Sequence, residues 1–119
     1  MKEKNVVVDK SYAFALRVVN AYRYLTDDKR ENVLSRQLLR AGTSVGANVE
    51  EAVGAQSERD FAAKMAIAYK EARETHYWLR LLRDSGYLTP QQADSLLNDA
   101  NELLRIIGSI IRTLKSGTR

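Results

Sequence analysis

Five side chains of the kinds that bind metals or move protons crowd two stretches of this 119-residue chain: Glu50 and Glu51 in one, Glu71, Glu74 and His76 in the other. Carboxylate-bridged metal centres in helical bundles use a Glu-x-x-His pair on each of two helices, so that both ligands of a pair project from one face. Glu74 and His76 are two residues apart and point in different directions on a helix. The spacing therefore predicts no metal site; it leaves His76 beside the core seam and the glutamates paired to Arg73 or Lys70. Cysteine is absent and there is one histidine, so thiolate nucleophiles, thiolate metal sites and disulfides are excluded. Ser44 lies near Asn48 without an accompanying base or oxyanion donor, so no catalytic residue is assigned. No cofactor and no small-molecule substrate is implied.

The elements that would position these groups are helical almost throughout. No stretch alternates polar and apolar for long enough to make a strand, and Pro90 is the only proline. The first helix is expected over about 9–26, capped by Asp9 or Ser11, with Phe14, Val18, Ala21 and Leu25 on one stripe. A second, over about 32–54, carries Leu34, Leu38, Ala41, Val45, Asn48 and Ala52 inward. Gly42 and Gly46 lie four apart on it and let another helix approach closely, at a propensity cost of about 1 kcal/mol each. Asn48, at an inward position between Val45 and Ala52, is expected to fix register by hydrogen bonding across the core.

Ser57 and Asp60 resemble a capping box opening a third helix over about 58–85, with Phe61, Met65, Ala68, Ala72, Thr75, Leu79 and Leu82 at heptad spacing before Gly86 stops it. Thr89, Pro90 and Gln92 open the fourth, over about 90–115, whose stripe is Ala93, Leu96, Ala100, Leu103, Ile107, Ile110 and Leu114, widened by Leu97, Leu104 and Ile111. Short links force neighbours to run antiparallel, so the fold class is all-α: an antiparallel up-down-up-down four-helix bundle in one domain over 1–119. Tyr69, Tyr77, Trp78 and Tyr87 flank the seam, where aromatics also suit a subunit interface.

The formal charge is +4, from 19 basic and 15 acidic residues. Its placement is uneven. The antiparallel topology brings Lys2, Lys4, Lys10 and Arg17 on the first helix beside Arg105, Arg112, Lys115 and Arg119 on the fourth, with only Glu3 and Asp9 set against them. These eight are the candidate nucleic-acid or subunit contacts. Glu50, Glu51, Glu58 and Asp60 make the opposite corner acidic, against Arg59 and Lys64. Part of the fourth helix's basic bias is ordinary, since cations stabilise a helix C-terminus. The opening MKEKNVVVDK has only a three-residue apolar run, too short for a signal peptide or membrane span, so a cytoplasmic protein without membrane contact is expected.

The stretch from Leu38 to Leu88 resembles the four-helix-bundle proteins encoded in intervening sequences of bacterial 23S ribosomal RNA genes. Ser44, Val45, Ala47, Asn48, Val49 and Glu51 match the first part of that family's pattern, then Ser57 and Phe61, then Ala68 with Glu71 and Glu74, then Gly86, Tyr87 and Leu88. Valines stand where isoleucine is commoner, and Ala52 follows Glu51 where many relatives have glycine. The resemblance implies a homopentameric ring, no enzymatic activity and a role in RNA or other nucleic-acid binding. In a related branch, the accessory proteins of diversity-generating retroelements, the resemblance implies a similar pentamer that partners a reverse transcriptase and RNA. The alternative is a ring-forming assembly or adaptor protein, for example a reverse-transcriptase accessory factor, with no direct nucleic-acid contact, in which the basic edge of one subunit meets the acidic corner of the next.

Overall fold

The computed structural model describes the backbone of residues 2–117 and the side chains of residues 6–117. Four helices follow one another: α1 (Lys2–Asp27), α2 (Leu34–Val53), α3 (Glu58–Asp84) and α4 (Pro90–Ser116). Cross-helix pairs fix their directions. As numbering rises on one helix it falls on its neighbour: Val18 meets Gly42 and Ser11 meets Gly46, Arg40 reaches Glu71 while Glu51 reaches Lys64, Arg83 reaches Asp94, and Lys10 reaches Glu102 while Arg17 reaches Asp99. Every adjacent pair is antiparallel, giving an up-down-up-down bundle of 47 × 21 × 19 Å. One cluster of buried side chains, from Val7 to Ile107, joins all four helices. No described helix is long and apolar enough to cross a membrane.

The stripes read from the sequence supply the core. On α3 all seven predicted residues are buried. α4 opens with a reciprocal capping box, Gln92 N–H donating to Thr89 Oγ1 at 3.1 Å and Thr89 N–H to Gln92 Oε1 at 2.9 Å. Ser57 accepts from Asp60 N–H at 3.1 Å, and Gly86, at φ 88°, ends α3 in the left-handed conformation that glycine adopts without strain.

Three local readings are corrected. α1 begins at Lys2, not near Asp9, because Val7 is fully buried and extends the Phe14 stripe by two further turns. Ser11 is a core residue whose hydroxyl donates to the Val8 carbonyl at 3.2 Å, so it caps nothing. Asn48 does not bond across the core: its amide donates to Ser44 O at 2.8 Å and Ser44 Oγ at 3.1 Å, one turn back on α2. Val49, together with Gly42 and Gly46, takes the buried face instead.

The start of α2 rests on Glu31, which the sequence reading leaves in the turn. Its carboxylate accepts from the backbone N–H of Val33, Leu34 and Ser35 at 3.0, 2.9 and 2.6 Å, satisfying donors that a helix N-terminus otherwise leaves bare. Burial pushes this carboxyl's pKa up, but the three backbone donors and the Ser35 hydroxyl outweigh it and hold the pKa below the ordinary 4.5. Glu31→Gln should cost about 1–2 kcal/mol at neutral pH, since bonds to a charged acceptor become neutral ones. A pKa depressed by folding stabilises the native state above the ordinary carboxylate value, and that contribution vanishes as pH falls through the folded value. Urea unfolding of wild type and variant should therefore draw together as pH falls below the ordinary 4.5 and through the lowered folded value.

Gly42 and Gly46 set the α1–α2 distance. A Cβ on Gly42 would stand 2.8 Å from both γ carbons of Val18, and one on Gly46 would stand 3.2 Å from the Ser11 carbonyl oxygen. Val18 is fully buried and β-branched, so it cannot swing aside. In the same unfolding assay Gly42→Ala should lose roughly 1–2 kcal/mol, overpacking exceeding the gain in helix propensity.

Candidate nucleic-acid interface

The structure divides the predicted basic edge. Lys10 pairs with Glu102 at 3.1 Å; Arg17 pairs with Asp99 at 2.6 Å and donates to Ser95 Oγ at 2.8 Å. Arg105 stands 3.8 Å from the same Glu102. Asp99 and Glu102 thus join the acids opposing this edge, and α4 turns both toward α1. Arg112 and Lys115 are exposed and make no ion pair among the described residues. Lys2 and Lys4 belong to α1, with side chains outside the described residues; Arg119 lies outside them altogether.

On the α2–α3 side, Arg40 reaches across to both Glu71, at 3.3 Å, and Glu74. Glu74 also accepts from the indole N–H of Trp78 at 3.0 Å. The glutamates therefore pair with α2 and not with Arg73 or Lys70 on their own helix. Glu51 bonds Lys64 at 2.8 Å, a contact that raises the lysine's pKa. Of the remaining family-pattern residues, Ser44 and Asn48 bond each other within α2, Phe61 lies in the core, and Gly86 caps α3. These positions hold the bundle together. Among the described residues no three His, Cys, Asp or Glu side chains converge on a point where a metal ion would sit. A recess of about 320 Å³ between α1 and α4, lined by Arg17, Asn20, Tyr24, Leu88 and Gln92 among others, has Arg17 as its one charged group and no acid in its lining.

The α3–α4 side differs. His76 is half-buried there and hydrogen-bonded to Asn101. Burial lowers its pKa from the ordinary 6.5, and Arg80, Arg73 and Arg83 lower it further against the opposing pull of Asn101. Tyr77 is 49% exposed; its ring meets Trp78 edge-on at 5.0 Å between centroids, and the Arg80 guanidinium lies 5.9 Å from its centre. Two turns toward the N-terminus of α3, a Cβ on Gly108 would stand 3.4 Å from both Tyr69 Cε1 and Arg112 Nη1, so the glycine seats both side chains.

The profile of the family described as 23S rRNA-intervening sequence protein matches residues 3–109. The chain belongs to this family. A crystal structure at 1.70 Å resolution of a protein with unknown function from the S23 ribosomal protein family, from Bacteroides thetaiotaomicron VPI-5482, superimposes with a TM-score of 0.92 at 50% identity, covering 93% of this chain and 99% of that one. No functionally curated protein matches.

His76 is the only histidine, so its C2 proton resonance can be followed alone. It should titrate with a midpoint below the ordinary 6.5, and Arg80→Gln should move that midpoint upward. A wild-type midpoint at or above the ordinary value would contradict the crowding of cations on this side.

Proposed function

We propose that this intervening-sequence family protein is a non-enzymatic, oligomeric RNA-associating protein of the cytoplasm, binding through cationic contacts that are weak singly and repeated around the oligomer. The observation that carries the reading is the fate of the charges. Arg40, Lys64, Lys10 and Arg17 hold Glu71, Glu74, Glu51, Glu102 and Asp99 across helix seams. The chain beyond Glu102 contains no acid at all, but four arginines and lysines. Arg112 and Lys115, which make no ion pair among the described residues, suit a polyanion, and the family's description names 23S rRNA.

Tyr12 and Leu16, one turn apart on α1, are 62% and 52% exposed, an apolar strip that supports self-association through a second copy. A ring of five, as the family resemblance implies, would repeat each basic surface and raise avidity without new contacts.

Anisotropy of a labelled single-stranded RNA should report binding that falls by orders of magnitude between about 50 and 200 mM salt. A flat salt response would overturn the reading. Arg105→Glu with Arg112→Glu should abolish RNA binding and leave the oligomer's mass, measured by light scattering, unchanged. Disassembly would instead assign those residues to subunit contact, as in a ring-forming adaptor.

A further inference from the structure

We infer that the RNA-binding surface is the α3–α4 face, a basic stripe interleaved with tyrosine that accepts single-stranded RNA; this rests on the function proposed above and places it on the fold. Lys70, Arg73, Tyr77 and Arg80 recur on α3 in steps of three, four and three, and Asn101, Arg105, Gly108, Arg112 and Lys115 on α4 in steps of four, three, four and three. Each set forms one helical stripe. Contacts bring the two stripes side by side. His76 bonds Asn101 between them, Gly108 seats Tyr69 and Arg112 at one end, and Arg83 meets Asp94 at 3.0 Å at the other. Apart from buried Gly108, the other eight stripe residues are exposed.

Two features make this surface positive. α3 has acids as well as bases, but Glu71 and Glu74 turn to Arg40 on the opposite side, leaving Lys70, Arg73 and Arg80 without ion pairs among the described residues. The nearest acid on α4, Glu102, leans to Lys10 at 3.1 Å and only reaches Arg105 at 3.8 Å. The lowered pKa of His76, at the floor of the stripe, has Arg73, Arg80 and Arg83 among its causes and agrees with the same field.

A uniform basic patch would serve any polyanion, but Tyr77 adds a second chemistry. Its half-open ring, flanked by the Arg80 guanidinium at 5.9 Å, offers a π-face and a cation together, the pair of groups on which unpaired bases stack. Duplex RNA keeps its bases inside and presents backbone, so it has no use for that ring. Asn101, bonded to His76, supplies an amide on the α4 stripe. The stripe runs roughly 15 Å along α3 and 20 Å along α4, an elongated track suited to a strand.

The test uses the full-length oligomer, a labelled single-stranded RNA and a duplex of equal length. Arg73→Glu with Arg80→Glu should lower single-strand affinity at least tenfold and reduce the slope of log affinity against log salt by about 2. Arg23→Glu with Arg36→Glu, the same charge change on α1 and α2, should leave affinity near wild type. Tyr77→Ala should weaken single-strand binding about tenfold with little change in salt slope, since stacking releases no counterions. If wild-type protein binds in a salt-sensitive way, yet the α3 reversal is silent and the α1/α2 reversal is not, the function stands and this placement fails. Equal affinity for duplex, or dissolution of the oligomer by the α3 reversal, also overturns it. Absence of salt-sensitive RNA binding by wild type sinks the function and the placement together.

Discussion

The reach of Arg40 from α2 to Glu71 and Glu74 on α3 decides how charge is laid out over the bundle. As a contribution to stability it is modest, because partly exposed ion pairs are worth about 0–1 kcal/mol each. Its weight lies in sorting. α3 carries acids and bases on adjoining turns, and on an isolated helix they would offset one another. Once Arg40 holds both glutamates, with Trp78 bonded to one of them, these acids of α3 are gathered on its α2 side and the α4 side keeps its cations. Lys10 draws Glu102 toward α1 in a similar way on α4. Core packing fixes which helices are neighbours, and these seam pairs then fix where the surplus charge appears.

The close α1–α2 contact supports that arrangement. Gly42 and Gly46 allow backbone and Val18 side chain to meet at distances that leave no room for a methyl group, so α1 packs tightly against α2. α2 is then held from both sides: by glycine-mediated packing on one flank and by the Arg40 and Lys64 pairs on the other. The small-residue segment and the carboxylates of the family pattern serve one purpose in this reading. They set helix spacing and register, while the surface proposed to meet RNA lies outside the pattern, on α3 and α4.

Most of the fold was legible because burial follows period. The α3 stripe, the Thr89–Pro90–Gln92 start and the Gly86 stop are local signals, each sufficient where it stands. Failures came where a local signal met a tertiary competitor. Asp9 and Ser11 look like caps, but Val7 extends the apolar stripe past them and the helix continues to bury it. Asn48 falls at heptad spacing, yet its amide finds partners one turn away, and a slight rotation of α2 turns Val49 inward instead. Glu31 was missed since a glutamate four residues ahead of its last acceptor contact matches no common capping signature. Lys10 and Arg17 lie on α1 and Arg105, Arg112 and Lys115 on α4, but periodicity assigns a face without assigning a partner. Asp99 and Glu102 neutralise part of that edge, whereas Lys70, Arg73 and Arg80, unremarkable in sequence, stand free of acids because those acids were taken elsewhere.

The central claim, that charge sorting across the helix seams leaves one RNA-facing surface on α3 and α4, is tested most directly by ultraviolet crosslinking of a uridine-rich single strand to the intact oligomer, followed by mass spectrometry of the adducts. The account predicts crosslinks centred on Tyr77, with Tyr69 as the next site. Adducts confined to Tyr12, Tyr22 or Tyr24 on α1 would contradict it.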